Sequence, residues 1–413
     1  MKRPISMLAL VAGITLLGGQ AVPAQEPGER SVRTVATFDN VEGVPGVPEG
    51  IVTDGAGGLY VTLFALDQVW HLDPATGEKE LVAEMPGGGV RGDLIGIDRD
   101  PRDGTLIAAF KKSEGVDIFD PAHPDCRDTS DTTTGLYRLD PATAEVTPFV
   151  TRGMGVPMCF PDDPAIDADG NVYVSDLTLG LIWKFDPEGR GSVWADDPLL
   201  GWTDQTGTWN PTAGAPLGHI GVNGIALAPD GQTLFAGTGG GPGGPTGSGL
   251  LVRIPINEDG SAGPADLFAA GLGANDGLEV GPDGTVYFAD TFNSDVWAYS
   301  ADGTRRLLVA SVNEFGDPLD NATSLVLLDD CLYNTQLGFF KLQQGLVDET
   351  LRSIVEICNF GDPTTDGDYT PPPVLTQLPD QPRPPSARPT PPLVSFTGPP
   401  SPTTTTTTAA AAS

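Results

Sequence analysis

The sequence predicts an all-β protein, a six-bladed β-propeller with four-stranded blades. A strand–turn–strand pattern occurs six times, third and fourth strand signals follow most copies, and one N-terminal strand belongs to no copy. A single blade cannot bury both of its faces, whereas blades packed in a ring bury them against each other. We therefore expect residues 33–360 to form one propeller domain.

Each copy of the repeat contains a polar residue, a short apolar strand, a turn and a second β-prone strand. In DGLEVGPDGTVYFADT, Gly-Pro-Asp-Gly at 281–284 predicts the turn, because proline presets φ and glycine tolerates positive φ. The copies begin at Glu49, Asp93, Asp162, Asn223, Asp276 and, in a degenerate form, Thr323.

Further strand signals complete the blades. Third strands are predicted in runs such as QVWHL and LIWKF, and fourth strands in runs such as KELVAEM and GSVWAD. The sixth copy lacks a clear fourth strand, and the run RTVATF at 33–38 lacks a blade. We expect this N-terminal strand to complete blade six, because closure of the ring removes two exposed sheet edges.

Both ends of the chain fall outside the predicted fold. Two basic residues, an apolar run and small residues before a cut after Ala24 predict a signal peptide at 1–24, followed by a linker at 25–32. The protein is therefore expected to be secreted, either extracellular or periplasmic. The Pro/Thr-rich segment 361–413 has too little apolar surface to fold and is predicted to be a disordered tail.

The charge balance limits the partners. The chain has 22 Lys and Arg against 55 Asp and Glu, a formal net charge of −33. Such a charge repels nucleic acid and anionic membranes and favours cation binding. No mature segment has an apolar run long enough for a membrane span. We expect a monomer that binds neither nucleic acid nor membrane.

Four cysteines in an exported chain predict two disulfides, for which three connectivities exist. We favour Cys331–Cys358, because both lie in β-prone runs that could be neighbouring strands. Cys126 and Cys159 would then pair between two long loops.

The polar residues that begin the first strands are expected to gather at one mouth of the central channel, because all first strands run in the same direction. Carboxylates that converge without a cation repel each other strongly in a desolvated site. Calcium takes six to eight oxygen ligands and would resolve this repulsion, whereas magnesium prefers a smaller shell. The three histidines are scattered, which argues against a zinc site. Taken singly, each polar residue could equally be a cap of its strand.

Three short motifs resemble the metal-site signature of a known family. Glu49-Gly50, Asn223-Gly224 followed by APDGQTLF, and Asp276-Gly277 look like the signature of the senescence marker protein/gluconolactonase family. That family is related to regucalcin and similar in architecture to diisopropyl fluorophosphatase and the paraoxonases. The resemblance implies a central divalent cation, usually calcium, held by Glu49, Asn223 and Asp276. An Asn from blade three commonly joins them, and Asp162 stands there in this chain.

The resemblance implies a calcium-dependent hydrolase of lactones or related esters, in which another divalent cation could replace calcium. The cation would polarise the substrate carbonyl and activate water. Asp276 would be the general base or nucleophile as well as a ligand. Asp162, where the family has Asn, should strengthen cation binding and weaken Lewis acidity. His219, four residues before Asn223, could relay protons or hydrogen-bond a substrate.

Two other classes of protein remain open at this point. One is a non-catalytic secreted propeller that calcium stabilises and that binds a partner on its channel face. The other is a different propeller enzyme, such as a quinone-dependent sugar dehydrogenase or a strictosidine synthase-like lyase. The dehydrogenase needs a basic cofactor pocket and a catalytic histidine, which the scattered histidines do not favour.

Overall fold

The protein is described here as a computed structural model. The described residues are 30–85, 92–112, 130–201, 219–240, 249–273, 275–291, 293–310, 319–338 and 352–363. The predicted signal peptide and nearly all of the predicted tail lie outside them. Within the described residues, no helix has the length and apolar character needed to cross a bilayer.

The first three blades have the following strands. Blade one consists of β2 (Pro48–Thr53), β3 (Leu59–Leu63), β4 (Gln68–Leu72) and β5 (Lys79–Glu84). Blade two consists of β6 (Gly92–Arg99), β7 (Leu106–Lys112), β8 (Gly135–Asp140) and β9 (Glu145–Thr151). Blade three consists of β10 (Pro161–Ile166), β11 (Val172–Asp176), β12 (Leu181–Phe185) and β13 (Gly191–Ala195).

The other three blades repeat this order. Blade four consists of β14 (His219–Leu227), β15 (Thr233–Gly240), β16 (Gly249–Pro255) and β17 (Asp266–Leu272). Blade five consists of β18 (Asn275–Val280), β19 (Val286–Asp290), β20 (Asp295–Tyr299) and β21 (Arg306–Ala310). Blade six consists of β22 (Ala322–Leu328), β23 (Cys331–Gln336), β24 (Ser353–Cys358) and the N-terminal β1 (Ser31–Thr37).

The six sheets form a closed ring, so the predicted six-bladed β-propeller is confirmed. Each sheet has four antiparallel strands, and the innermost strands contact one another in order around the ring, with β22 against β2. β1 is the outer strand of blade six and pairs with β24 from Ser31↔Cys358 to Thr37↔Ser353. The predicted closure by the N-terminal strand is therefore correct.

Turn and disulfide predictions are also confirmed. In the turn at 281–284, the Gly281 amide donates to the Thr285 carbonyl at 2.8 Å, and Gly284 has a φ of +85°. Cys331 and Cys358 are bonded across paired positions of β23 and β24, with their Cα atoms 4.4 Å apart. Cys126 lies outside the described residues, so its pairing with Cys159 stays a prediction.

The hydrophobic core lies between neighbouring blades rather than in one central mass. Trp183 and Phe185 of blade three, for example, pack against Ile107 and Leu136 of blade two, and all four are buried. Burial of each such side chain stabilises the fold by roughly 1.5–3 kcal/mol. The blades are therefore fixed against each other, and the channel that they surround has a defined shape.

A candidate metal centre at the mouth of the channel

A bulge at the same position in every blade shapes the mouth of the channel. In blade one Pro48 pairs with Leu63 but Ile51 pairs with Val61, so three steps along β2 match two steps along β3. The same shift occurs at the corresponding place in the other five blades. A bulge of this kind turns side chains out of the regular ladder, and bulges are frequent next to active sites.

The bulge defines which residues are equivalent around the ring. The residue directly after the last paired position before this bulge occupies the same place in each inner strand. We call these six residues the mouth ring. They are Glu49, Ile95, Asp162, Asn223, Asp276 and Thr323. All four predicted metal ligands, Glu49, Asp162, Asn223 and Asp276, therefore share one level of the channel.

The prediction for blade two is correct only in part. Asp93 lies at the start of the inner strand as expected, but Ile95, two residues further along, occupies the mouth-ring position. Asp93 instead lies opposite Lys111 on β7, and the two charged side chains attract each other. The sequence DLIGID places a polar residue before an apolar run, and only strand pairing reveals where the bulge falls.

A glycine after the mouth-ring residue lets neighbouring inner strands approach closely. A Cβ on Gly224 would lie 1.9 Å from the carbonyl oxygen of Asp276 in blade five. Only glycine accommodates such contact between backbones. The Asn-Gly motif thus reflects packing between blades as well as chemistry at the mouth.

Hydroxyl side chains on the second strands support the bulge and were missed by sequence reasoning. The Thr62 hydroxyl accepts from the Gly50 amide at 2.7 Å and donates to the Ile95 carbonyl at 2.6 Å. In blade six, Thr335 accepts from the Ser324 amide at 2.9 Å and donates to the Glu49 carbonyl. These bonds join the ring residues of adjacent blades. A hydroxyl residue near the end of the second strand was the available signal.

The carboxylates of the ring act on each other electrostatically. Glu49 and Asp162 are each 5% exposed. Burial raises the pKa of Glu49 well above its usual range, and the charges of Asp276 and Asp162 raise it further. The pKa of Asp162 is raised in the same way, by burial first and then by Asp276 and Asp163. The channel therefore concentrates negative charge where water is scarce.

Asp276 differs from the other two carboxylates because neighbours bind it. The Thr291 hydroxyl lies 3.0 Å from Asp276 Oδ2, and the Asn223 side chain also hydrogen-bonds the carboxyl group. Burial raises the pKa of Asp276 to about 6, and these two hydrogen bonds hold it from rising further. The same Thr291 hydroxyl lies 2.7 Å from the Ala322 carbonyl in blade six.

Two buried oxygens of the ring have no hydrogen-bond partner. Within the described part of the chain, neither Glu49 Oε2 nor Asn223 Oδ1 has a hydrogen-bond partner. A buried polar atom without a partner costs roughly 1–3 kcal/mol. The side chain of Asn223 hydrogen-bonds Asp276, and the Oδ1 atom of Asn223 still has no partner. This oxygen is available as a cation ligand. The donor set offered at the mouth consists of oxygens only, which fits calcium or another hard cation.

The three carboxylates of the ring do not form a compact cluster in the described part of the structure. In the described residues, one cluster of possible metal ligands has all its ligand atoms within 4.8 Å of each other. It consists of Cys331, Glu356 and Cys358. Its two cysteines are joined in the disulfide and offer no thiolate. Glu49, Asp162 and Asp276 are therefore more widely spaced.

A second set of carboxylates, not anticipated from the sequence, lies further along the channel. Asp98, Asp163 and Glu279 line a cavity of about 220 Å³, which does not include the mouth-ring ligands. Burial raises the pKa of Asp98 to about 7 and that of Glu279 to about 8. We call these three residues the inner carboxylates.

Two of the inner carboxylates connect adjacent blades. Asp98 Oδ2 of blade two accepts from the Ile166 amide of blade three at 2.7 Å. Asp163 Oδ2 of blade three accepts from the Ile225 amide of blade four at 2.9 Å. They thereby satisfy backbone N–H groups of the neighbouring inner strands. These bonds give them a structural role.

His219 begins β14, where it pairs with Gly240. The position of its side chain is not described. The predicted role of His219 in proton transfer or substrate binding therefore stays a prediction.

Comparisons with known proteins relate the chain to solved propellers. No family model matches the sequence, and no curated protein matches it. A gluconolactonase from Xanthomonas campestris aligns with 80% of this chain and 90% of its own, at 16% identity and a TM-score of 0.53. The calcium-binding protein regucalcin from Agrobacterium tumefaciens aligns with 79% and 93%, at 14% identity and a TM-score of 0.52.

A third solved structure has a different chemistry. The PQQ-bound aldose sugar dehydrogenase from Streptomyces coelicolor aligns with 80% of this chain and 98% of its own, at 19% identity and a TM-score of 0.52. At these identities the comparisons establish the shared fold. The fold and the mouth ring together define the class, a six-bladed propeller with a buried oxygen-rich site at one end of its channel.

Proposed function

We propose that the protein is a calcium-dependent hydrolase of lactones or related esters. The observation that carries this proposal is the mouth ring, with two buried carboxylates, a half-buried third one and a buried amide from four blades. Two oxygens of this set have no partner within the described residues. Glu49, Asp162, Asn223 and Asp276 would hold the ion. When bound, a divalent cation supplies Lewis acidity toward a carbonyl oxygen and favours deprotonation of water.

Asp276 is the residue best suited to take the proton from the attacking water. Its carboxyl group accepts hydrogen bonds from Thr291 and Asn223, which favour the ionised form that a base needs. The Thr291 hydroxyl at Oδ2 fixes the orientation of the carboxylate. Glu49 and Asp162, which are more strongly perturbed by their neighbours, serve as ligands.

The comparisons support this assignment at the level of fold. A gluconolactonase and a calcium-binding regucalcin share the architecture, and the first acts on lactones by its name. The sugar dehydrogenase shares it as well, and therefore the fold alone does not choose between these chemistries. The oxygen-only ring favours hydrolysis.

Export is part of the same proposal. The signal-peptide pattern at 1–24 predicts it, and the Cys331–Cys358 disulfide is typical of a protein that matures in an oxidising compartment. Cleavage after Ala24 is checked by N-terminal sequencing of protein recovered outside the cytoplasm.

The direct test is hydrolysis of a panel of lactones and aryl esters by the full mature chain, with added calcium and with excess chelator. We expect turnover that requires calcium and that Asp276→Asn reduces by a factor on the order of 10²–10⁴. Asp283→Asn is the matched control, because Asp283 lies in the exposed turn of the same blade and accepts from the Thr285 amide at 2.9 Å. Calcium binding without turnover on any member would favour the non-catalytic propeller, and turnover unaffected by chelator would contradict the proposed site.

A further inference from the structure

We propose that Asn275 is a positioning residue for Asp276, the residue assigned above as ligand and base. Asn275 holds the start of β18 against blade four, so that the Asp276 carboxylate stays aligned with Asn223. This inference rests on the proposed function, because it assigns a further residue to the same site.

The first observation is that blade five differs from all other blades at the residue just before the mouth ring. This residue is the last paired position before the bulge, and it is buried in every blade. Five blades carry an apolar residue there, whereas blade five carries an amide. The six residues are Pro48, Leu94, Pro161, Val222, Asn275 and Ala322. The fold accepts an apolar side chain at this position, so the amide requires another explanation.

The second observation is the pair of hydrogen bonds that this amide makes to blade four. Asn275 Nδ2 lies 3.0 Å from the Thr238 carbonyl oxygen and 2.7 Å from that of Leu250. Thr238 and Leu250 are paired residues of β15 and β16, so the amide bridges two strands of the neighbouring blade. Asn275 is 0% exposed, so neither bond competes with water. Blade five is thereby fixed to blade four one residue before Asp276.

The third observation is that blade four has the space for this amide. A Cβ on Gly237 would lie 2.8 Å from the Cβ of Asn275, which is closer than such atoms approach in proteins. In the other five blades the equivalent residue of the second strand carries a Cβ. These residues are Thr62, Ala109, Ser175, Ala289 and Thr335. The one glycine at this position thus faces the one asparagine.

The Asn275 side chain is not the best choice for stability alone. Within the described residues its Oδ1 atom is buried and has no hydrogen-bond partner, which destabilises the folded state. An apolar residue, as in the other five blades, avoids this cost. Departures from local stability rules are expected at functional positions. What the amide adds at this position is its pair of donors.

The anchored segment leads directly into the proposed base. Asn223 of blade four hydrogen-bonds the Asp276 carboxyl group, and at the same contact a Cβ on Gly224 would lie 1.9 Å from the Asp276 carbonyl oxygen. A shift of β18 away from blade four would break the bond to Asn223 and turn the carboxylate. Misplacement of a reacting group by about 1 Å can lower a rate about 100-fold. Asp276 is half-buried and faces the channel, whereas Asn275 is fully buried, so Asn275 acts through Asp276.

The test is Asn275→Val, which introduces the residue that blade four has at the equivalent position, Val222. At saturating calcium we expect kcat on the best lactone to fall about tenfold and KM to change less than about twofold, because substrate contacts are kept. The calcium Kd, measured by isothermal titration calorimetry, should rise about threefold to tenfold, because Asp276 is also a ligand. Trp194→Phe is the matched control. It removes another bond between neighbouring blades, from Trp194 Nε1 to the Gly260 carbonyl at 3.0 Å, and should change neither kcat nor Kd.

A double-mutant cycle distinguishes positioning from a general loosening of the fold. In Asp276→Asn the base is already lost, so the addition of Asn275→Val should reduce kcat by less than about twofold more. A substitution that acts only through stability would cost the same factor in both backgrounds. Equal losses in the two backgrounds would overturn the inference, as would wild-type kcat and calcium affinity in Asn275→Val.

A second variant tests the same contact if Asn275→Val does not fold. Gly237→Ala adds a Cβ that displaces the Asn275 side chain without removing it, and the same changes in kcat and Kd are expected. The calcium measurement separates this inference from the proposed reaction. If wild type binds calcium but hydrolyses no lactone or ester, the proposed reaction is contradicted, and a raised calcium Kd in Asn275→Val still supports positioning. An unchanged Kd in that variant would overturn the positioning role.

Discussion

The mouth ring and the inner carboxylates are two acidic regions of one channel, and they differ in how their oxygens are used. Asp98 and Asp163 each accept a backbone N–H from the next blade. Glu49 Oε2 in the ring, by contrast, has no hydrogen-bond partner within the described residues. Burial raises the pKa in both regions, so a raised pKa alone does not distinguish a ligand site from a structural one. The unpartnered oxygen of Glu49 is what favours the mouth ring as the proposed cation site.

The largest expected effect tests whether Asp276 is a base as well as a ligand. Asp276→Asn keeps an oxygen that can bind a cation but cannot accept the proton. At saturating calcium we expect kcat to fall on the order of 10²–10⁴-fold. Steady-state kinetics on the best lactone measure the loss, and the inner-carboxylate variant Asp98→Asn should reduce kcat far less. If Asp276→Asn kept nearly full activity, another residue would be the base.

The next effect concerns calcium and stability. A cation that binds only the folded state at about 100 times its Kd stabilises that state by about 2.7 kcal/mol. We expect excess chelator to lower the Tm of wild type, and Glu49→Gln to shrink the difference between calcium and chelator. Thermal denaturation followed by circular dichroism measures both. If Asp98→Asn removed the calcium effect and Glu49→Gln did not, the cation would belong to the inner carboxylates.

The inner carboxylates also predict a pH dependence of stability in the presence of chelator. Their folded-state pKa values, about 7 for Asp98 and about 8 for Glu279, lie above the values of an unfolded chain. The folded state therefore binds more protons, and the stability is present at acid pH and is lost as the pH rises through these values. Each kcal/mol lost lowers the Tm of a domain by roughly 2–4 °C.

The matched variant for this prediction is the double substitution Asp98→Asn with Glu279→Gln. We expect it to flatten the profile of Tm against pH between about pH 5 and pH 8. A profile that stays as steep as in wild type would assign the dependence to the mouth ring instead.

The smallest effect concerns the hydroxyl beside Asp276. Thr291→Val removes a hydrogen bond that lowers the pKa of Asp276, so the pKa should rise and the basic form should appear at higher pH. We expect the acid limb of the pH–rate profile to move upward and kcat to change about tenfold or less. Thr291→Ser should restore the limb, and a general loss of activity without a shift would indicate a purely structural role.

Much of the fold could be predicted because its signals are local. The hairpin at 276–290 has its turn residues and its apolar flanks within one short stretch, and the six similar stretches gave the number of blades. The unpaired strand near residue 33 and the incomplete sixth copy predicted the closure. Cys331 and Cys358 lay in runs with strand character, and pairing of those strands brought them together.

The site could be predicted only in part, because strand pairing and closure of the ring decide the rest. The polar residues Glu49, Asp162, Asn223 and Asp276 carried a sequence signal. In blade two the bulge places Ile95, rather than the expected Asp93, at the ring position. No local sequence pattern shows where this bulge lies. Thr335 supports Glu49 from a distance of 286 residues along the chain.

The sequence by itself therefore determined the repeating unit, the number of blades and the candidates for cation ligands, because each depends on periodicity and residue type over short stretches. The tertiary structure decided which side chains meet in the channel. It set the aliphatic side of the ring at Ile95, the hydroxyl supports and the inner carboxylates. The physical reason is that these contacts join different blades, and their partners are defined only when six inner strands pack around one axis.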